Sequence, residues 1–255
     1  MQTAPILAAA VCLSAPAGAF AQIIFQERTD EAGLAEPLAG MMGHGGAWGD
    51  FDGDGRIDLF VGGFADRPDA EYAPAAGPVR NRLFRNLGGG KFADAGQAAV
   101  AQFARTSGAV FADLDGDGDL DLYVANNAKG KTKHPGGSPQ HAAQLQPSSL
   151  FENRDGQFSD VSARSGACPA DVLTARNVGV FDYDGDGRLD LFVVEDKFTA
   201  EPGSRLLRSE SGLKFAEATA EGGLPGEPFG LGEAPQISTA TGCPISSCPT
   251  ATAFS

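Results

Sequence analysis

Three short runs of uninterrupted apolar residues punctuate the chain, LFV at 59–61, LYV at 122–124 and LFV at 191–193. Continuous hydrophobicity over so few residues, rich in β-branched and aromatic types, predicts a strand covered on both faces rather than one side of a helix. The surroundings of each run recur as well. A stretch with small residues precedes it (Gly46-Ala47, Gly108-Ala109, Gly179) and should allow close backbone approach near a central axis. A polar segment with an apolar pair follows, RLFRN at Leu83-Phe84, SSLFEN at Leu150-Phe151 and SRLLRS at Leu206-Leu207. A Gly-bearing turn then leads into Phe92, Phe158 or Phe215. Each unit therefore offers four short strands, and no long amphipathic helix is visible. Four antiparallel strands per repeat is the plan of a propeller blade. The expected fold is all-β: a partial β-propeller of about three four-stranded blades over residues 22–231.

Directly before each apolar run stands the same acidic loop: DFDGDGRID from Asp50, DLDGDGDLD from Asp113 and DYDGDGRLD from Asp182, starting 63 and then 69 residues apart. Carboxylates occupy relative positions 1, 3, 5 and 9, and glycine position 6. Four carboxylates in a nine-residue turn repel one another strongly. A hard divalent cation taking six to eight oxygens at about 2.3–2.6 Å turns that repulsion into ligation. The predicted ligands are Asp50, Asp52, Asp54 and Asp58; Asp113, Asp115, Asp117 and Asp121; and Asp182, Asp184, Asp186 and Asp190. Position 7 (Arg56, Asp119, Arg188) contributes only a backbone carbonyl. Gly55, Gly118 and Gly187 permit the sharp turn that brings first and last ligands together. An EF-hand begins alike but needs a bidentate Glu at position 12, where this chain has Val61, Val124 and Val193. The expectation is about three structural calcium ions at the tips of β-hairpins; the alternative is three metal-free Asx-type turns.

Charge narrows the partners. The formal net charge of −14, from 33 acidic against 19 basic residues, would fall to about −8 with three Ca²⁺ bound. That balance argues against nucleic acid and anionic membrane. A protein or glycan ligand of unknown identity is the expected partner.

The pattern G-A-x-x-D-x-D-G-D-G-x-x-D-L-x-V, followed by L-F-x-N and x-F-x-D, resembles the FG-GAP/VCBS repeat of integrin alpha-chain heads. GHGGAWGDFD from Gly43 is similar to the entry to the first calcium loop in secreted proteins of the cartilage acidic protein type. The resemblance covers roughly residues 23–231. It implies extracellular, calcium-bearing propellers, usually of seven blades, that serve adhesion or ligand binding rather than catalysis. This chain departs from that family in having three complete loops and no recognisable ASPIC/UnbV-type domain. Some polysaccharide-degrading enzymes also use calcium-bearing propellers, so a lyase or hydrolase fragment is the alternative function.

Residues 1–21 read as an export signal, with an apolar core from Ile6 to Ala15 and Ala19-Phe20-Ala21 before Gln22; the expected location is secreted, periplasmic or cell-surface. IIFQERTDEAGL from Ile23 is similar to KFAEATAEGGL near Phe215, which predicts a blade's last strand closing a ring. Residues 232–255 lose every landmark and form an aberrant or disordered tail. With permissible codons for Glu233 to Cys248, a shifted frame reads SAADFNGDGLPDLFV, a fourth loop, so a truncating frameshift is expected. An incomplete ring would expose strand edges and favour self-association. Cys12 falls in the signal, Cys243 and Cys248 in the tail, and Cys168 stands alone in the repeats. His44, His134 and His141 join no nucleophile-base constellation. Lys129, Lys131 and Lys133 form a basic cluster in an insertion at 126–148 that reads as a surface loop, and Trp48 reads as core.

Overall fold

The computed structural model describes residues 24–41, 43–63, 80–128, 146–196 and 203–224. Within them the chain forms twelve strands and three helices of four residues each. The strands are β1 (Gly46–Gly49), β2 (Asp58–Val61), β3 (Arg82–Gly88), β4 (Lys91–Asp94), β5 (Thr106–Ala112), β6 (Asp121–Asn126), β7 (Ser149–Arg154), β8 (Gln157–Asp160), β9 (Ala175–Phe181), β10 (Asp190–Glu195), β11 (Arg205–Ser209) and β12 (Phe215–Glu217). The helices are α1 (Thr29–Ala32), α2 (Ala35–Leu38) and α3 (Ser162–Ser165).

Strands pair in chain order into three antiparallel four-stranded sheets, β1-β2-β3-β4, β5-β6-β7-β8 and β9-β10-β11-β12. This is the expected all-β arrangement of three propeller-type blades. Each acidic loop closes the first hairpin of its sheet in the same register. The residue before the first aspartate pairs with the last one: Gly49 with Asp58, Ala112 with Asp121 and Phe181 with Asp190. The loops therefore share one end of their sheets.

Burial follows from a strand's place in the stack. Every residue of β6 is buried, because the middle sheet is covered on both faces. One face packs on the first sheet through Phe60, Leu83, Leu122, Val124 and Phe151. The other packs on the third through Tyr123, Leu150, Val178, Leu191 and Val193. In the flanking sheets Val61 and Phe192 remain half-buried. The outer face of the first sheet is partly covered by α1 and α2, where Ala32 and Leu34 meet Leu59 and Phe84.

The innermost strands approach through small residues. A Cβ on Gly45 would lie 2.7 Å from the Gly108 nitrogen, and one on Gly108 would lie 2.8 Å from the Asn177 Cα. All three residues stand five before the first aspartate of their loops. The close approach expected at Gly108 is thus present. In the first sheet it is made by Gly45 instead of Gly46, whose Cβ would meet only the Phe60 carbonyl of its own hairpin.

Two expectations fail. Trp48 is not core: it is 61% exposed, on the face of β1 turned away from the second sheet, with Phe92 beside it in an edge-on ring contact. Residues 24–28 form no strand, and Ile24 and Phe25 are 70% and 93% exposed. A strand needs a hydrogen-bonding neighbour. The corresponding β4, β8 and β12 each pair with the third strand of their own sheet, whereas residues 24–28 pair with none among the described residues. The chain turns instead into α1.

The signal segment 1–21, the tail 232–255, Cys12, Cys243, Cys248, His134, His141 and the cluster Lys129, Lys131 and Lys133 lie outside the described residues. No described helix is long and apolar enough to cross a membrane.

Candidate metal centres

Each acidic loop is organised by its first aspartate. The Asp50 carboxylate accepts the amide N–H of Asp54 at 3.0 Å and of Gly55 at 2.8 Å. Asp113 accepts from Gly116 (2.8 Å) and Gly118 (3.1 Å), and Asp182 from Gly185 (2.8 Å), Asp186 (3.1 Å) and Gly187 (2.9 Å). The turn works because Gly55, Gly118 and Gly187 sit at φ of 84°, 98° and 86°, in the left-handed region that costs glycine nothing.

The ninth position has a second task that the spacing did not reveal. Asp58, Asp121 and Asp190 are completely buried. One oxygen of each accepts the amide of loop position 2, from Phe51 at 3.1 Å, Leu114 at 3.1 Å and Tyr183 at 3.0 Å. The other accepts an amide from the third strand, from Asn86 at 2.7 Å, Asn153 at 3.0 Å and Ser209 at 2.7 Å. The carboxylate thus clasps the loop to β3, β7 or β11. Burial raises all three above the ordinary carboxylate range, Asp121 to about 7, against the opposing pull of the amides. Neighbouring loop aspartates raise them further, which is the electrostatic signature of a site that favours added positive charge.

The L-F-x-N landmark acquires a reason here. Asn86 and Asn153 also donate side-chain amides to the carbonyls of loop position 8, Ile57 at 2.8 Å and Leu120 at 3.0 Å. Asn153 reaches further and donates to the Phe51 carbonyl of the neighbouring loop at 2.7 Å.

Not all four aspartates converge. In the first loop Asp50, Asp52 and Asp58 place one oxygen each within 4.8 Å of one another; in the third, Asp182, Asp184 and Asp190 do so. In the second the trio is Asp113, Asp115 and Asp117. Position 7 differs in parallel with position 5. Arg56 and Arg188 turn back onto Asp54 and Asp186, while their Nε groups donate to the Asn86 carbonyl (2.6 Å) and the Ser209 carbonyl (3.1 Å). Asp119 makes no such pair; its carboxylate accepts the Asp155 amide at 2.7 Å. Position 7 therefore does more than offer a carbonyl. The signal for this, a basic residue two places after an acidic ligand, is present in the sequence.

The donor set fits a hard cation. All grouped ligands are carboxylate oxygens, with no imidazole or thiolate among them, and the backbone carbonyl of position 7 stands in the same turn. Such a site can hold an oxygen-loving divalent ion and thereby hold the hairpin.

Residues 50–124 match the family model of the FG-GAP-like repeat. That span runs from the first ligand of the first loop to the end of the second apolar run. No curated protein matches the chain in sequence. The third sheet repeats the strand order, the loop register and the ninth-position clasp of the first two, so the architecture of the FG-GAP-like repeat matched at residues 50–124 recurs in it.

Proposed function

We propose that this protein is an exported, calcium-bearing binding or adhesion module without catalytic activity of its own. The observation that carries the reading is the threefold convergence of carboxylate oxygens within 4.8 Å at one end of three stacked sheets. Three acids so close together, one of them buried in two of the three loops, are tolerable when a divalent ion shares them. The residues that would hold it are Asp50, Asp52, Asp54 and Asp58, Asp113, Asp115, Asp117 and Asp121, and Asp182, Asp184, Asp186 and Asp190, with the carbonyls of Arg56, Asp119 and Arg188. Bound calcium would supply charge neutralisation, and the chain's own residues do the rest. The first aspartate shapes the turn, the ninth ties it to the third strand, and the stiffened hairpins present the loops and connections around them to a partner.

The non-catalytic reading is supported by how the carboxylates are used: the first and ninth of each loop accept backbone amides of their own sheet. Export is supported by the apolar segment at 6–15 and by the extracellular setting usual for such repeats. The partner is a protein or a glycan.

Equilibrium dialysis of the chelator-stripped, refilled full chain tests the metal. About three calcium ions per chain are expected, and folded protein that takes up none would overturn the reading. A glycan array beside a reducing-sugar release assay tests the rest: binding without turnover supports a module, and turnover contradicts it.

A further inference from the structure

The three loops share one spacing and differ in the cations set against them. In the first, two of four carboxylates are already paired, Asp54 with Arg56 and Asp52 with Arg85. Asp52 is nearly enclosed, its side chain 5% exposed, while Arg85 is 51% exposed, so that pair is partly screened. In the third, one is paired, Asp186 with Arg188. Arg208, which stands on β11 where the first sheet has Arg85, is held by Glu221 at 2.8 Å. In the second loop no ion pair reaches Asp113, Asp115, Asp117 or Asp121 among the described residues. There Asp119 replaces the arginine at position 7, and Glu152 stands where the first sheet has Arg85. Glu152 is itself paired with Arg154 and Arg164, at 2.6 and 2.7 Å; Arg154 also feels the charges of Asp117 and Asp115, but without forming an ion pair to either. Position 5 joins the convergent trio only in the second loop, where no guanidinium pairs with it, whereas Asp52 stays in the first loop's trio beside Arg85.

We propose that the three loops fill with calcium in a fixed order, second, then third, then first, because Arg188, Arg56 and Arg85 act as built-in counter-ions that an incoming ion must displace from Asp186, Asp54 and Asp52. The inference rests on the calcium reading above and adds the ranking of the sites to it. Ligand charge is a principal determinant of affinity in oxygen-ligand calcium loops. An arginine already on a ligand lowers that charge and adds a pair to be broken. The pairs at position 7 are partly exposed, with arginine side chains 42% and 45% accessible, so each is a modest competitor. The middle sheet, buried on both faces, thus carries the site that fills at the lowest calcium concentration, and the outer sheets stiffen only as calcium rises.

Isothermal titration calorimetry with calcium on the full chain tests the order, with far-ultraviolet circular dichroism confirming that each variant is folded. Asp113→Ala with Asp117→Ala should abolish the tightest binding class, and Asp50→Ala with Asp54→Ala the weakest. Arg188→Gln and Arg56→Gln should each tighten their own class about fivefold, and Asp119→Arg should weaken the tightest class by about as much. If calcium binds but the tightest class survives loss of Asp113 and Asp117, or if the two arginine variants bind as the parent does, the ordering is wrong and the calcium reading stands. If the folded parent takes up no calcium, both fall together.

Discussion

The side-chain amide of Asn153 donates to the Phe51 carbonyl at 2.7 Å, carrying a hydrogen bond from the third strand of the middle sheet into the acidic loop of the first. The same amide donates to the Leu120 carbonyl at 3.0 Å, and the Asn153 backbone N–H holds Asp121. One fully buried residue therefore ties two candidate calcium loops together. Asn153→Ala leaves two carbonyls without that partner, Phe51 in a buried setting and Leu120 in a half-buried one. We expect a loss of about 1–3 kcal/mol in urea unfolding, and a smaller one for Asn86→Ala, whose side chain is half-buried and serves one loop.

Gly108 sets the spacing between the second and third sheets. A Cβ there would stand 2.8 Å from the Asn177 Cα and 2.9 Å from the Arg176 carbonyl, and backbone cannot swing aside as a flexible side chain can. Gly108→Ala should cost about 1–3 kcal/mol, read as a lower urea midpoint. An unchanged midpoint would show that the innermost strands are not held in contact.

Calcium removal should lower the melting temperature. Extracellular calcium modules bind at about 10⁻⁴ to 10⁻³ M, so millimolar calcium stabilises each loop by about 0.4–1.4 kcal/mol. Three loops together give about 1–4 kcal/mol, a large share of a domain's marginal stability. Differential scanning calorimetry in calcium and in chelator reads the difference, and coincident curves would argue against occupied loops.

Burial pushes the Cys168 thiol up to about 12. Only the thiolate attacks a disulfide reagent. Native protein near neutral pH should therefore label slowly at this residue and quickly once denatured, with Cys168→Ser separating its signal from those of Cys12, Cys243 and Cys248. Rapid labelling of the native chain would place the thiol in water.

Trp48 is the single tryptophan of the chain and stands 61% exposed. Its emission should be that of a solvated indole and should be quenched readily by acrylamide. A blue shift that grows with protein concentration would show a second copy covering the outer face of the first sheet.

The sequence by itself determined what is local. Ligand positions 1, 3, 5 and 9, the glycine of the turn and the hairpin that follows are written within about a dozen residues, because a nine-residue loop has few ways to fold its carboxylates inward. The recurrence of apolar runs was enough for four strands per unit, since a strand covered on both faces must read as unbroken hydrophobicity. Tertiary structure decided everything that depends on a neighbour. Trp48 has the strand setting of a core residue, yet it is exposed, because no described sheet packs on that face of β1. Residues 24–28 resemble a last strand and are not one, because a strand exists only beside a partner. The ninth aspartate reads as a ligand like the others; only the fold shows it buried between loop and third strand, with both oxygens on amides. Arg85 meets Asp52 across 33 residues of chain, and Asn153 meets Phe51 across 102. The first arises from pairing the loop's hairpin with the third strand of its own sheet and the second from stacking one sheet on the next, and neither is encoded in the spacing of a single loop.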